Sequence, residues 1–261
     1  MTNMNKKDLS MITLVFFLTR CFFNLYTFTN LYEFLVIAII IFIGIIIFKK
    51  IEINIIKTKL FKWLYLIALI LIFVIILANA TNFININYFR YSNYFSITLS
   101  LIVITYILGK DKIKTIASIS EIFSFIFICI TILVSIGLIS LIKLENYNNF
   151  CNINNFSINL LPLLLLFVLF YIRKNNITIG YFLGISSSLF DIILLIGSLG
   201  ILLPHTYSYP GISILKTISF FNFINHLDKL FSFVYLFEYT ITLALIFNII
   251  KSIIKKEGYN D

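Results

Sequence analysis

Three ionisable side chains stand inside long apolar runs, where hydrocarbon is the expected surrounding: Arg20, Asp191 and Glu238. An ionised group at the centre of a membrane helix costs on the order of 2.5–3.5 kcal/mol by insertion scales, so such groups face protein or water and find partners. Arg20 is the cation of the set, and either acid can pair with it. Two chemistries follow from that pattern. One is a structural ion pair between packed helices; the other is a ligand or ion pathway lined by the three groups. The run Gly184-Ile185-Ser186-Ser187-Ser188, one turn before Asp191, adds small residues that let helices approach closely and hydroxyls that bond across them. A fourth acid, Glu121, falls only a few residues into its apolar run, within reach of water.

Other reactive side chains form no recognisable constellation. His205 and His226 lie in the loop 204–229 with no Ser or Cys nucleophile pattern beside them. The sequence has no glycine-rich phosphate loop and no His-x-x-x-His metal spacing. Cys21, Cys129 and Cys151 have no paired spacing, and two of them fall inside apolar runs, so neither a disulfide framework nor a metal site is expected. No catalytic residue and no cofactor is expected, and the reading is of a non-enzyme.

The elements that carry these residues are set by composition. Of 261 residues, 61% are apolar and 12% charged, about half the charged fraction of a soluble domain. The mean hydropathy is +1.03. A chain whose solvent is lipid must satisfy its peptide groups internally, by helices or a closed barrel. A barrel shows alternating strands of about ten residues; here the apolar runs are long and unbroken, as over 35–48. The fold class expected is all-α, a polytopic helical membrane protein of about eight transmembrane helices, forming one transmembrane domain. Spans are predicted at 10–28, 31–48, 61–80, 91–108, 117–141, 156–172, 179–203 and 230–250. Lys6 and Lys7 before an apolar stretch resemble the opening of a signal peptide, but Arg20 interrupts the stretch and no small-residue cleavage pattern follows. The stretch reads as a retained first span.

Charge placement gives a separate test of the count. With a cytoplasmic amino end, fifteen basic residues fall in cytoplasmic segments, including Lys49, Lys50, Lys57, Lys110, Lys112, Arg173 and Lys251. Four fall outside: Arg90, Lys143, Lys216 and Lys229. Lysine and arginine accumulate on the cytoplasmic side, and a missed span would break the alternation beyond it. Both termini are therefore expected in the cytoplasm. The net charge of +9 belongs to these membrane-flanking turns, and no nucleic-acid partner is expected. Two outer loops stand out. That at 142–155 is rich in Asn and Tyr. That at 204–229 is part apolar, and reads either as a half-helix in the interface or as a lid over an outward cavity.

Within this second half, Ser208-Tyr209-Pro210-Gly211-Ile212-Ser213-Ile214-Leu215-Lys216-Thr217-Ile218, then Asn222-Phe223-Ile224-Asn225-His226-Leu227-Asp228-Lys229-Leu230-Phe231, resembles the endospore germination permeases. These are the B subunits of spore germinant receptors, within the amino acid/polyamine/organocation transporter superfamily. The segment 112–122, with Glu121 retained, looks like that family's lead-in to its fifth span. The resemblance covers roughly residues 90–250. Departures are Asn225-His226 in place of a Glu-Arg pair, Tyr235 in place of a tryptophan, and Ser118 in place of an arginine. The resemblance implies two inverted five-helix repeats with substrate at the midplane between discontinuous helices. With eight predicted spans instead of ten, a truncated inverted-repeat transporter-like fold is expected. It also implies detection or passage of a small amino-acid-like germinant, A-type and C-type receptor subunits as partners, and residence in the cell membrane, specifically the spore inner membrane.

Overall fold

Peptide groups in hydrocarbon find no water, so each apolar run closes its hydrogen bonds within itself as a helix. The computed structural model describes residues 6–24, 31–50, 59–89, 93–110, 112–139, 142–147, 160–172, 177–199 and 227–255. Among them are eight α-helices: α1 (Lys6–Asn24), α2 (Leu31–Lys50), α3 (Lys59–Asn87), α4 (Tyr94–Gly109), α5 (Ile113–Ile139), α6 (Leu165–Ile172), α7 (Ile177–Leu199) and α8 (Leu227–Lys255). Short 3₁₀ turns cover Leu144–Tyr147 and Leu161–Leu164. No strand occurs among the described residues. The chain is an all-α, polytopic membrane protein. Five helices (α2, α3, α5, α7 and α8) are long and apolar enough to cross a bilayer, while α1, α4 and α6 contribute shorter apolar stretches.

Several boundaries differ from those predicted, for physical reasons. The third helix does not stop at Ala80 but runs to Asn87. Its polar continuation stays helical because Asn79, Thr81 and Asn87 hydrogen-bond to the carbonyls of Ile75, Leu77 and Phe83, four residues back. The fourth starts at Tyr94, where the Asn93 side chain accepts from the Phe95 N–H as an N-cap. The sixth becomes α-helical only at Leu165, following the 3₁₀ turn that has Pro162 in its first positions. Proline suits a helix start, since it has no N–H to leave unpaired. The predicted start of that span at 156 lies outside the described residues, as does most of the loop 204–229.

The helix ends that alternating spans bring together are in contact. At one set of ends, Lys251 Nζ donates to the Lys110 carbonyl at 2.8 Å and Lys49 Nζ to Thr178 Oγ1 at 2.6 Å. At the other, Tyr88 Oη lies 2.5 Å from Ser232 Oγ, and Lys143 N donates to the Gly197 carbonyl at 2.9 Å. The side chains of α2 explain why lipid is needed. Ile37, Ile41 and Ile45 are fully enclosed, whereas Ile39, Ile43, Ile46 and Ile47 on the opposite face are about half exposed. An apolar face of that extent on a water-soluble monomer is rare.

α8 is the most enclosed of the five long helices, with 67% of its apolar stretch buried against 28–33% for the others. It packs on α1, α3, α4 and α5, and α1 in turn packs on α5 and α7. Aromatic edges join these layers: Phe17 meets Phe127 of α5 and Phe237 of α8, and Phe83 of α3 meets Tyr239. A polar tie crosses from α7 to α2, where buried Tyr181 Oη donates to the Ala38 carbonyl at 2.6 Å. Tyr181→Phe keeps the ring and deletes that bond. A loss of about 1 kcal/mol is expected in thermal unfolding of the detergent-solubilised protein.

Candidate functional site: a charge cluster shared by three helices

α1 and α7 lie side by side and parallel. A Cβ built on Gly180 would meet the Ile12 carbonyl at 2.5 Å and Val15 at 2.8 Å; one on Gly184 would meet Thr19 at 2.6 Å and the Phe16 carbonyl at 3.0 Å. Four residues along α7 thus match four along α1, and the two glycines open the groove in which α1 lies. This is the small-xxx-small contact by which membrane helices approach closely. Arg20 stands fourteen residues past the start of α1, and Asp191 fourteen past the start of α7. At 1.5 Å per residue each has risen about 21 Å, so the parallel helices bring them to one depth. α8 runs the opposite way and supplies Glu238 at that level.

The three residues predicted from the sequence do come together. Arg20 has no exposed surface. Its Nε donates to Glu238 Oε1 at 2.6 Å, its Nη1 to Ser187 Oγ at 2.5 Å, and its Nη2 lies 2.7 Å from Asp191 Oδ2. The last contact has ion-pair distance with poor hydrogen-bond alignment. Below the guanidinium, the Phe127 ring of α5 has its centroid 4.4 Å from Arg20 Cζ, a cation–π contact in a desolvated setting. Glu238 is equally buried; its second oxygen accepts from Asn24 Nδ2 at 3.1 Å, and its backbone carbonyl accepts from Thr242 Oγ1 at 2.7 Å. Asp191 is the least enclosed of the three, with 11% of its side chain exposed.

Two further participants follow from helix geometry. Asn24 is four residues after Arg20 and Ser187 four before Asp191, so each shares a face with its charged neighbour. Of the hydroxyls in the run 184–188, expected to bond across helices, that of Ser187 is the one that meets the arginine. Phe127 carries no local signal, because only the crossing of α5 over α1 places it. Gly180 with Gly184 forms the G-x-x-x-G spacing, a signal present in the sequence and overlooked. Glu33, in the first turn of α2, is a further fully buried acid beside Phe34, whose ring packs on Phe23.

The remaining candidates lie elsewhere. Glu121 is half-buried on α5, with its carbonyl accepting from Ser124 Oγ. Cys21 is buried and Cys129 exposed, both as free thiols; Cys151, His205 and His226 lie outside the described residues. No group of metal-ligating side chains occurs among the described residues.

Fold and site together define a helical membrane protein with an arginine–dicarboxylate cluster buried among α1, α7 and α8. Comparisons with protein-family models, with curated proteins and with solved structures find no match to this chain.

Proposed function

We propose that this chain is a membrane subunit resembling the endospore germination permeases, which senses or passes a small amino-acid-like germinant. The observation that carries the reading is the cluster itself: a cation and two acids on three different helices, buried at one depth. Supporting it is the sequence likeness of 208–231 and 112–122. The rest of the family reading comes with it, namely an inverted-repeat arrangement, A-type and C-type partner subunits, and the spore inner membrane with both termini cytoplasmic. Ligand binding would act by its difference in affinity between two arrangements of the three helices, since a ligand that binds both equally shifts nothing. A cluster whose bonds span α1, α7 and α8 is suited to that role, because exchanging one partner of Arg20 requires a relative movement of helices.

An amino-acid carrier is the nearest alternative. A non-binding structural subunit is favoured by one specific observation: all three guanidinium nitrogens already meet groups of the protein itself. Two measurements separate the three. Radiolabelled amino-acid uptake into proteoliposomes by this chain alone supports the carrier. A germinant response in spores that is lost with Asp191→Asn or Glu238→Gln, both still present in the membrane, supports the receptor; a response unchanged in both leaves the structural role. Tags inserted beside Lys57 and Lys112 are expected on the same, cytoplasmic side, and opposite labelling overturns the proposed topology.

A further inference from the structure

The cluster does not balance. One guanidinium faces two carboxyl groups within 2.7 Å, so with both acids ionised a surplus negative charge is left in a region removed from water. Such a charge costs several kcal/mol unless it is compensated. Among the described residues, the other ionisable groups facing the cluster from the helices packed on it are Cys21 on α1 and Tyr235 on α8, with α5 contributing the Phe127 ring. None of these supplies a cation. Among the described residues the compensating positive charge has no further source.

We propose that the cluster binds one exchangeable proton, carried by the Asp191 carboxyl. Room is the first reason: Arg20 and Glu238 are closed over by protein, and a proton is the cation that needs no cavity. Hydrogen-bond directions are the second. Glu238 accepts at both oxygens, from Arg20 Nε and from Asn24 Nδ2, and donors on both sides suit a carboxylate. Asp191, by contrast, meets Arg20 Nη2 at 2.7 Å from Oδ2 in a poorly aligned contact. Third, Ser188 is fully buried and its hydroxyl has no hydrogen-bond partner. It sits four residues after Gly184 and three before Asp191, both of which touch α1, so it lies on the same face and within one turn of the acid. Thr19 on α1, Ser198 on α7 and Thr242 on α8 return their hydroxyls to a carbonyl of the preceding turn; Ser188 keeps its own uncommitted. Asp191 is also the member that protein does not close over completely, with 11% of its side chain exposed, which leaves an edge for the proton to pass. Only an O–H bond is made and broken in the exchange.

The inference stands on the charge count and geometry, so a failed germinant or uptake assay leaves it untouched. Its test is infrared difference spectroscopy on the full chain in lipid nanodiscs, titrated with acid and base in H₂O and D₂O. Expected is a carboxylic-acid C=O band that shifts in D₂O, vanishes as pH rises, and is absent from Asp191→Asn. Charge balance makes Glu238→Gln lose it too, because one guanidinium then faces one carboxylate, so either variant suffices if the other does not fold. A spectrum without such a band, or one unchanged in both variants, overturns the proposal. So does sodium or potassium, in exchange for choline, raising the unfolding temperature of the parent chain but not of Asp191→Asn, since a metal cation then fills the place.

Discussion

Arg20→Met is expected to destabilise the folded bundle by about 3–5 kcal/mol, the range for removing one partner of a buried ion pair. The reason is what remains: Asp191 and Glu238 lose the cation held between them at 2.7 and 2.6 Å, and Ser187 and Phe127 lose the group they contact. Thermal unfolding in detergent, or the amount of monodisperse protein recovered from membranes, reads the effect. Arg20→Lys is expected to rescue little. An ammonium cannot engage Glu238, Ser187 and Asp191 from three separate nitrogens in a fixed plane. The informative control is the triple change Arg20→Met, Asp191→Asn, Glu238→Gln, which removes the charge altogether. Recovery of most of the stability is expected, as with buried ionic triads replaced by uncharged groups. A single variant as stable as the parent chain would show that Arg20 does not bridge the acids.

Gly180→Val is the second large effect. The new side chain meets the Ile12 carbonyl, a backbone atom, at 2.5 Å, and backbone inside a helix cannot turn aside as a side chain does. α1 and α7 must then separate, at about 1–3 kcal/mol for overpacking a closed core. Because the same pair of helices carries Arg20, Ser187 and Asp191, the separation also stretches the charge cluster, placing Gly180→Val at or beyond the upper end of that range. Gly44→Ala is the contrast. Its Cβ would also fall at 2.5 Å, but from Leu166 Cδ2, the far end of a flexible side chain. Near-parental stability is expected there. Equal losses at the two positions would mean that α1 and α7 are not in close backbone contact.

Much of the fold was open to inspection in the sequence, because membrane helices obey one dominant rule: backbone polar groups stay paired, so long apolar runs become helices. All eight predicted spans overlap a described helix. Boundaries were less legible wherever polar side chains replaced water as partners, as at Asn79, Thr81 and Asn87, which carried α3 past its apolar part. At the site, burial cost alone was enough to pick out Arg20, Asp191 and Glu238, and charge sign made them possible partners. What it left open was whether one acid or both met the arginine, which depends on α8 running antiparallel past a parallel pair. Phe127 and Glu33 were illegible for the same kind of reason, since nothing local distinguishes an inward from a lipid-facing position on a helix that is apolar all round.

The enclosure of α8 also bears on how the chain is built. Arg20 and Glu238 are separated by 218 positions, and at synthesis rates of about 5–20 residues per second the arginine is made on the order of 10–40 s before its acid. During that interval α1 holds a bare guanidinium, at a cost on the order of 2.5–3.5 kcal/mol at the centre of a membrane helix. That cost favours a first helix held near the lipid–water boundary until α7 and α8 arrive. Assembly is then gated by the late helices, and the charge cluster acts as a latch that closes once they have been threaded in.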